Sequence, residues 1–208
     1  LPSEPAIRHT HFMPRLLLAT NNPGKVRELR RLLDGCGFEL VTPADFGLAV
    51  EPVESGSTYA ENAVLKARAF ATAAGCLALA DDSGLEVDAL GGAPGVQSAR
   101  FGGPGLDDAG RVGLLLKKLG GVPRKRRTAR FRAVVALACS DGGVRLFEGV
   151  QEGHIAAAPR GDSGFGYDPV FVGRGGQTNG EIAEAAKDAV SHRGQAVRAA
   201  ATFLRSLR

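Results

Sequence analysis

Five clusters of this chain carry residue types able to handle a polyphosphate, a metal ion or a heterocyclic base. The first is Thr20-Asn21-Asn22-Pro23-Gly24-Lys25, set between the apolar run Leu16–Ala19 and a helical pattern. A strand that runs into a helix start offers backbone N–H groups and the positive end of a helix dipole, which suits a phosphate. Lys25 would add a cation, and Thr20 and Asn21 hydrogen-bond donors. The stretch is not a P-loop, which needs glycine where Ala19 stands and Ser or Thr where Val26 stands. Without that hydroxyl the motif lacks its Mg²⁺ ligand, so a P-loop kinase or ATPase is excluded. A plain strand–helix turn explains the same residues equally well.

The second cluster, Asp81-Asp82-Ser83-Gly84, ends the apolar run Leu77–Ala80. Carboxylates at a strand's carboxyl end are well placed for Mg²⁺, and neighbours on an extended chain point to opposite sides. One would face a cleft and the other the structure. An Asx turn uses the same residues. The third cluster is Glu54 with Asn62 and Lys66, the latter two four apart and so on one helical face. A solvated helix face accounts for that pair by itself. The fourth, Phe165-Gly166-Tyr167-Asp168 in a glycine-rich loop, has rings to stack on a base and an acceptor for its N–H groups. The fifth is Lys187 with Ser191-His192-Arg193, where Ser191 reads as a helix cap and the next two residues offer donors beside it.

Elements must hold these clusters. A strand is expected over Arg15–Thr20, a helix carrying Val26, Leu29, Leu32 and Leu33 that stops at Gly35, and a strand over Phe38–Val41. Thr58-Tyr-Ala-Glu61 is a capping box opening a helix to about Ala74. A strand over Leu77–Ala80 should end on the paired carboxylates. Turns are expected through 91–105, a helix over Asp107–Leu119, and strands over Thr128–Ser140 and Val144–Ile155 around an Asp-Gly-Gly hairpin turn. A last helix holds Ala196, Val197, Ala200, Phe203 and Leu204. Alternating strands and helices followed by a hairpin imply an α/β fold, a mixed central sheet with flanking helices.

The bulk properties narrow the class. In 208 residues, 44% are hydrophobic and no apolar run approaches the length of a membrane span. The 26 basic and 22 acidic residues leave a net charge of +4, which suits an anionic partner without demanding nucleic acid. Cys36, Cys76 and Cys139 are far apart without a CxxC pair, and are expected to be reduced and packed. Residues 1–12, including His9 and His11, are expected to be an extension or remnant outside one domain over 13–208. They lack the apolar stretch of a signal peptide, so a cytoplasmic location is expected.

Taken together, the order of these motifs is informative. Thr20–Lys25, Glu61-Asn62 through Lys66, Ala80-Asp-Asp-Ser-Gly84, Gly91-Gly-Ala-Pro-Gly95, Ser98-Ala-Arg100, Gly164-Phe-Gly-Tyr-Asp-Pro169 and Ser191-His-Arg193 resemble the inosine/xanthosine triphosphate pyrophosphatase family. The resemblance runs from about Pro14 to the C-terminus. It implies two lobes with the active site in the cleft between them, a homodimer, and hydrolysis of inosine, deoxyinosine and xanthosine triphosphates to monophosphate and pyrophosphate. Thr20, Asn21, Asn22, Pro23, Gly24 and Lys25 would then cradle the triphosphate, with Asn62 and Lys66 facing it. Asp82 would be proton acceptor and, with Glu54, hold Mg²⁺, while Ser83 touches substrate. Phe165, Gly166, Tyr167 and Asp168 would hold the base, and Lys187, His192 and Arg193 complete its pocket. Donors from His192 and Arg193 would pair with a 6-keto oxygen. The rival from another class is nucleic-acid binding through the basic 124–132 segment, but it leaves Asp81, Asp82 and Glu54 without a purpose, because carboxylates repel phosphate.

Overall fold

The computed structural model describes residues 13–207, so the expected extension at 1–12 lies outside the described residues. In chain order the regular elements are β1 (Arg15–Leu18), α1 (Pro23–Leu32), β2 (Glu39–Val41), α2 (Tyr59–Ala74), β3 (Leu77–Val87), α3 (Asp108–Lys118), β4 (Thr128–Ala138), β5 (Val144–Ile155), β6 (Phe171–Val172), α4 (Glu184–Val190) and α5 (His192–Ser206). The strands form one mixed sheet in the order β2-β1-β3-β4-β5-β6. β2, β1 and β3 run parallel, and the remaining neighbours are antiparallel. The α/β expectation of a mixed sheet flanked by helices therefore holds.

Burial explains the layering. Leu16, Leu17 and Leu18 are wholly buried, as a strand inside a parallel sheet covered on both faces must be. Leu16 and Leu18 join Leu29 and Leu33 from α1 and its C-cap and Ala196, Val197, Ala200 and Leu204 of α5 on one face. Leu17 turns the other way, onto Ala63, Ala67, Phe70 and Ala71 of α2. Small alanines along α2 let that helix lie close to Ala78 and Ala80 of β3.

β3 and β4 are long enough to serve a second core. Their far ends contribute Leu85, Val87, Ala129 and Phe131, which meet Val112, Leu115 and Leu119 from α3 and its C-cap. Two lobes thus hang on shared strands. β3 does not end at the paired carboxylates, as expected, but continues to Val87. Pairing overrides the local turn chemistry, because Asp81, Asp82, Ser83 and Gly84 each sit in register with β4, opposite Val135, Val134, Ala133 and Arg132. The carboxylates therefore lie between the two cores.

Local signals mark most helix starts. Thr58 and Glu61 form the expected capping box, Ser191 caps α5, and Asn22 caps α1. The short α4 follows Ala183, which offers no capping side chain, and the sequence carries no start signal for it. Of the cysteines, none is paired; Cys36 is buried, but Cys139 is exposed in the turn between β4 and β5, contrary to the expected packing.

Gly84 locks the 95–100 turn against β3. A Cβ there would strike the Gly95 carbonyl and come within 2.7 Å of the Ser98 hydroxyl and 2.8 Å of the Tyr59 hydroxyl. Ser98 in turn donates to Gly95 O and accepts from Leu85 N, so the turn has little room to retreat. Gly84→Ala is expected to cost about 1–3 kcal/mol, the usual range for overpacking. Urea denaturation checks it; an unchanged midpoint would refute the close-packing account.

Candidate active site

The cleft between the lobes holds a cavity of about 170 Å³. At one end it is walled by Asn22, Lys25, Glu54, Asp82 and Ser83, and at the other by the 165–168 loop, Lys187, His192 and Arg193. Thr20, Asn21, Pro23, Gly24, Asn62 and Lys66 stand behind or beside this wall rather than in it.

At the α1 end the helix start offers fewer free donors than the sequence implied. Pro23 has no N–H, and Lys25 N donates to the capping Oδ1 of Asn22. Val26 N goes to Asn22 O, which leaves Gly24 as the uncommitted N–H of the first turn. Thr20 Oγ1 accepts from Asn22 N and so shapes the turn. Gly24 has a packing role as well: a Cβ there would stand 2.9 Å from the ring of Phe165. The positive charge at this end comes from Lys25, whose Nζ lies 3.1 Å from Asp81 Oδ1. Burial depresses the Lys25 pKa, and Asp81 only partly restores it.

Behind that end runs a buried chain of ions that the sequence reading did not assemble. Alternation along β3 turns Asp81 toward α1 and α5 and Asp82 toward α2. Asp81 Oδ2 accepts from Arg193 Nε at 3.0 Å and from the Ser83 hydroxyl at 3.2 Å. Arg193 Nη2 donates to Ser83 Oγ at 2.8 Å, and Nη1 to Glu28 Oε2 at 2.6 Å. Glu28 Oε1 then accepts from Lys187 Nζ at 2.6 Å, which also donates to Asp168 Oδ2 at 2.6 Å. Lys25, Arg193 and Lys187 alternate with Asp81, Glu28 and Asp168, so the charges balance. Burial alone would raise the Asp81 carboxyl, but Lys25 and Arg193 outweigh it and hold it far below the usual range. The same competition lowers Glu28 through Arg193 and Lys187. Glu28 was missed because it reads as a solvated helix acid; its signal was its place four residues before Leu32, on the apolar side of α1.

Asp82 belongs to a separate group on the α2 side. Lys66 Nζ donates to Asp82 Oδ1 and to Glu54 Oε1, both at 2.9 Å. Asn62 Nδ2 approaches Asp82 Oδ2 at 3.4 Å, and Arg100 holds the other oxygen of Glu54 at 2.5 Å. Burial pushes the Asp82 carboxyl up, and Lys66 offsets only part of this. Among the described residues no three His, Cys, Asp or Glu side chains converge on one point. Asp82 and Glu54 nonetheless face a common cation, so a small oxygen-seeking ion would find two carboxylates there and take its other ligands from water and phosphate.

At the base end, Phe165 lies over two cations, with Lys187 Nζ 5.0 Å and the Arg193 guanidinium 5.4 Å from its ring centre. Asp168 Oδ2 accepts from Phe165 N and fixes the loop, and Gly166 N donates to Asp108 of α3. Tyr167 is buried, with its hydroxyl on Ser98 O and its pKa raised by burial to about 12. It is a wall rather than a reactive group. His192 stacks on Phe131 with ring centres 4.6 Å apart, and its Nδ1 has no partner among the described residues.

The basic 124–132 segment is mostly consumed by structure. Arg127 donates to the carbonyls of Val122 and Leu119, Arg130 pairs with Asp88 and Glu152, and Arg132 pairs with Glu86. That leaves the turn Arg124–Arg126 exposed, a short patch for the rival reading of nucleic-acid binding through 124–132.

The state of His192 yields a pH prediction. Burial and the neighbouring Arg193 and Lys187 hold its imidazole well below the ordinary 6.5. The folded chain stays neutral there while the unfolded chain takes a proton below about pH 6.5. More protons on the unfolded state means that stability is full above that pH and falls as the pH drops. The slope approaches about 1.4 kcal/mol per pH unit. Urea midpoints from pH 7.5 to 5 should fall more steeply for the parent chain than for His192→Gln. Parallel profiles would show that His192 is not held neutral.

Comparison with known proteins places this arrangement. The Ham1 family model matches residues 16–203. A dITP/XTP pyrophosphatase of Desulforamulus reducens is 50% identical over 194 residues, covering 93% of this chain and 96% of that protein. One of Thermus thermophilus is 52% identical, covering 89% of each. Among solved structures, a HAM1 protein from Coxiella burnetii superimposes with a TM-score of 0.85 at 39% identity, over 93% of this chain and all of that one. The match embraces both lobes and every cluster lining the cleft, and this chain belongs to the Ham1 family.

Proposed function

We propose that this chain hydrolyses non-standard purine nucleoside triphosphates, those of inosine, deoxyinosine and xanthosine, to the monophosphate and pyrophosphate. The observation that carries the reading is one cavity that joins Lys25 and the Asp82–Glu54 pair at one end to an aromatic slot under Phe165 at the other. The names of the relatives support the same reaction. Removal of such nucleotides from the precursor pool is the purpose it implies, and the work belongs in the cytoplasm where that pool lies. Residues 13–208 act as one unit, assembled as the homodimer that the family resemblance implies.

Charge balance supports a metal requirement. The wall carries the cations Lys25, Arg111, Lys187 and Arg193 and an equal number of acids, Glu54, Asp82, Asp108 and Asp168. A nucleoside triphosphate brings close to four negative charges into this neutral surround, and its repulsion of an attacking hydroxide needs further positive charge. Mg²⁺ held by Asp82 and Glu54 would supply it and stabilise the departing pyrophosphate. Lys25 and Lys66 bind phosphate oxygens, with Asn62 orienting Asp82 and with Thr20, Asn21, Asn22, Pro23 and Gly24 shaping the turn beneath. Asp82, its carboxyl raised by burial above the ordinary carboxylate value, accepts the proton of the water that attacks the α-phosphorus. No covalent intermediate is needed. Phe165 and Tyr167 hold the purine. His192 lines the base end of the cleft, whereas Arg193, bonded at all three nitrogens, acts by holding Ser83, Asp81 and Glu28 in place.

Incubation with inosine triphosphate should give pyrophosphate and inosine monophosphate in equal amounts, with activity abolished by a chelator. Orthophosphate released by way of a diphosphate would overturn the reading. Asp82→Asn should cut kcat by at least about 10²-fold, the low end for a lost general base. Near-normal turnover in the folded variant would remove Asp82 from the chemistry.

A further inference from the structure

Gln151 on β5 and Thr178 and Asn179, just beyond β6, are buried polar residues that belong neither to the cleft wall nor to the ionic chain. Gln151 and Asn179 line a separate cavity of about 590 Å³. A buried amide calls for partners, and these two satisfy each other. Gln151 Nε2 donates to Asn179 Oδ1 at 3.0 Å, and Asn179 Nδ2 donates to Gln151 Oε1 at 3.1 Å. Asn179 Nδ2 also donates to Asp168 Oδ1 at 3.3 Å, and Asp168 does line the cleft.

The direction of this relay follows from the inventory of donors and acceptors. Asp168 Oδ2 accepts from Lys187 Nζ and from the Phe165 N–H, so Oδ1 is an acceptor too and must meet the NH₂ group of Asn179. Turning Asn179 over would set its oxygen against the carboxylate. Gln151 holds it the right way round, and glutamate at 151 would set an oxygen against Asn179 Oδ1. The main chain of the same turn fastens the base loop as well. Thr178 Oγ1 donates to Arg160 O at 2.7 Å, Ser163 N to Gly180 O at 3.0 Å, and Gly180 N to Asp168 O at 3.0 Å. These bonds fix where the loop runs, and the Asn179 side chain fixes how the Asp168 carboxylate is turned within it.

We propose that Gln151 and Asn179 are positioning residues for the base end of the cleft. By holding Asp168 Oδ1 they keep Oδ2 on the Phe165 N–H and on Lys187, and so set the Phe165 ring against the purine. The inference rests on the proposed function above. Without Asn179 the carboxylate can rotate, and Phe165 loses its tether. The phosphate end is untouched, because Lys25 and Lys66 take their partners from Asp81, Asp82 and Glu54.

The test compares the parent with Asn179→Leu and with Gln151→Leu/Asn179→Leu. Calorimetry measures binding of inosine monophosphate, which carries the base, and of inorganic pyrophosphate, which does not. Both variants are expected to bind inosine monophosphate about tenfold more weakly, as for a lost bond to a charged group, and pyrophosphate as the parent does. In turnover of inosine triphosphate KM should rise by a similar factor with kcat little changed, the mark of lost uniform binding. The double variant leaves no amide unpaired, and it carries the test if Asn179→Leu alone fails to fold. Equal weakening of both ligands, unchanged binding of both, or a fall in kcat at constant KM would overturn the proposal. If the parent releases no pyrophosphate from inosine triphosphate, the proposed reaction fails, and the two binding ratios still decide the role of the amide pair.

Discussion

The rest of the structure depends on Arg193. Its guanidinium is almost wholly buried and joins α5 to β3 through Asp81 and to α1 through Glu28. A buried guanidinium is tolerable only when each face of its fork finds a partner, and here each nitrogen does. Through Glu28 the same chain reaches Lys187 on α4 and Asp168 in the base loop. Five segments, α1, β3, the base loop, α4 and α5, are thus fixed to one another by charge rather than by apolar contact alone. Removal of a single member would leave an uncompensated buried ion, at a typical cost of about 3–5 kcal/mol.

This bonding also separates the tasks of two neighbouring carboxylates. Asp81 and Asp82 differ by one residue, yet the pleat of β3 sends them into opposite layers. Asp81 is surrounded by Lys25 and Arg193 and is held ionised. Asp82 keeps one lysine, Lys66, shared with Glu54, and burial pulls its affinity for protons upward. One acid is thereby fixed as a structural anion, and the other is left able to exchange a proton or a cation. The division comes from strand geometry and from which helix covers which face.

The sequence revealed features that local physics decides. The capping box at Thr58, the Ser191 cap and the Asp141-Gly-Gly hairpin are each settled within a few residues, and each stands where expected. The leucines of β1 and the apolar stripe of α5 were equally plain. Distant pairing was not legible. Asp81-Asp82-Ser83-Gly84 has good turn chemistry and stays extended only because β4, fifty residues later, offers it a partner strand. Glu28 and Lys187, 159 residues apart, show nothing of their pairing in either neighbourhood. Individual roles in the cleft shifted for the same reason: Arg193 looked like a free donor beside a helix start until its three partners were in place.

The two lobes share the long strands β3, β4 and β5, and the cleft lies alongside them rather than across a linker. A twisted antiparallel ribbon paired over eleven residues resists bending far more than a single connecting strand would. Any relative motion of the lobes is therefore spread through the twist of this ribbon rather than concentrated at a pin. Asp81 and Asp82 sit on that stiff part of the molecule, while Glu54 and Phe165 ride on the 47–57 and 161–166 segments beside it.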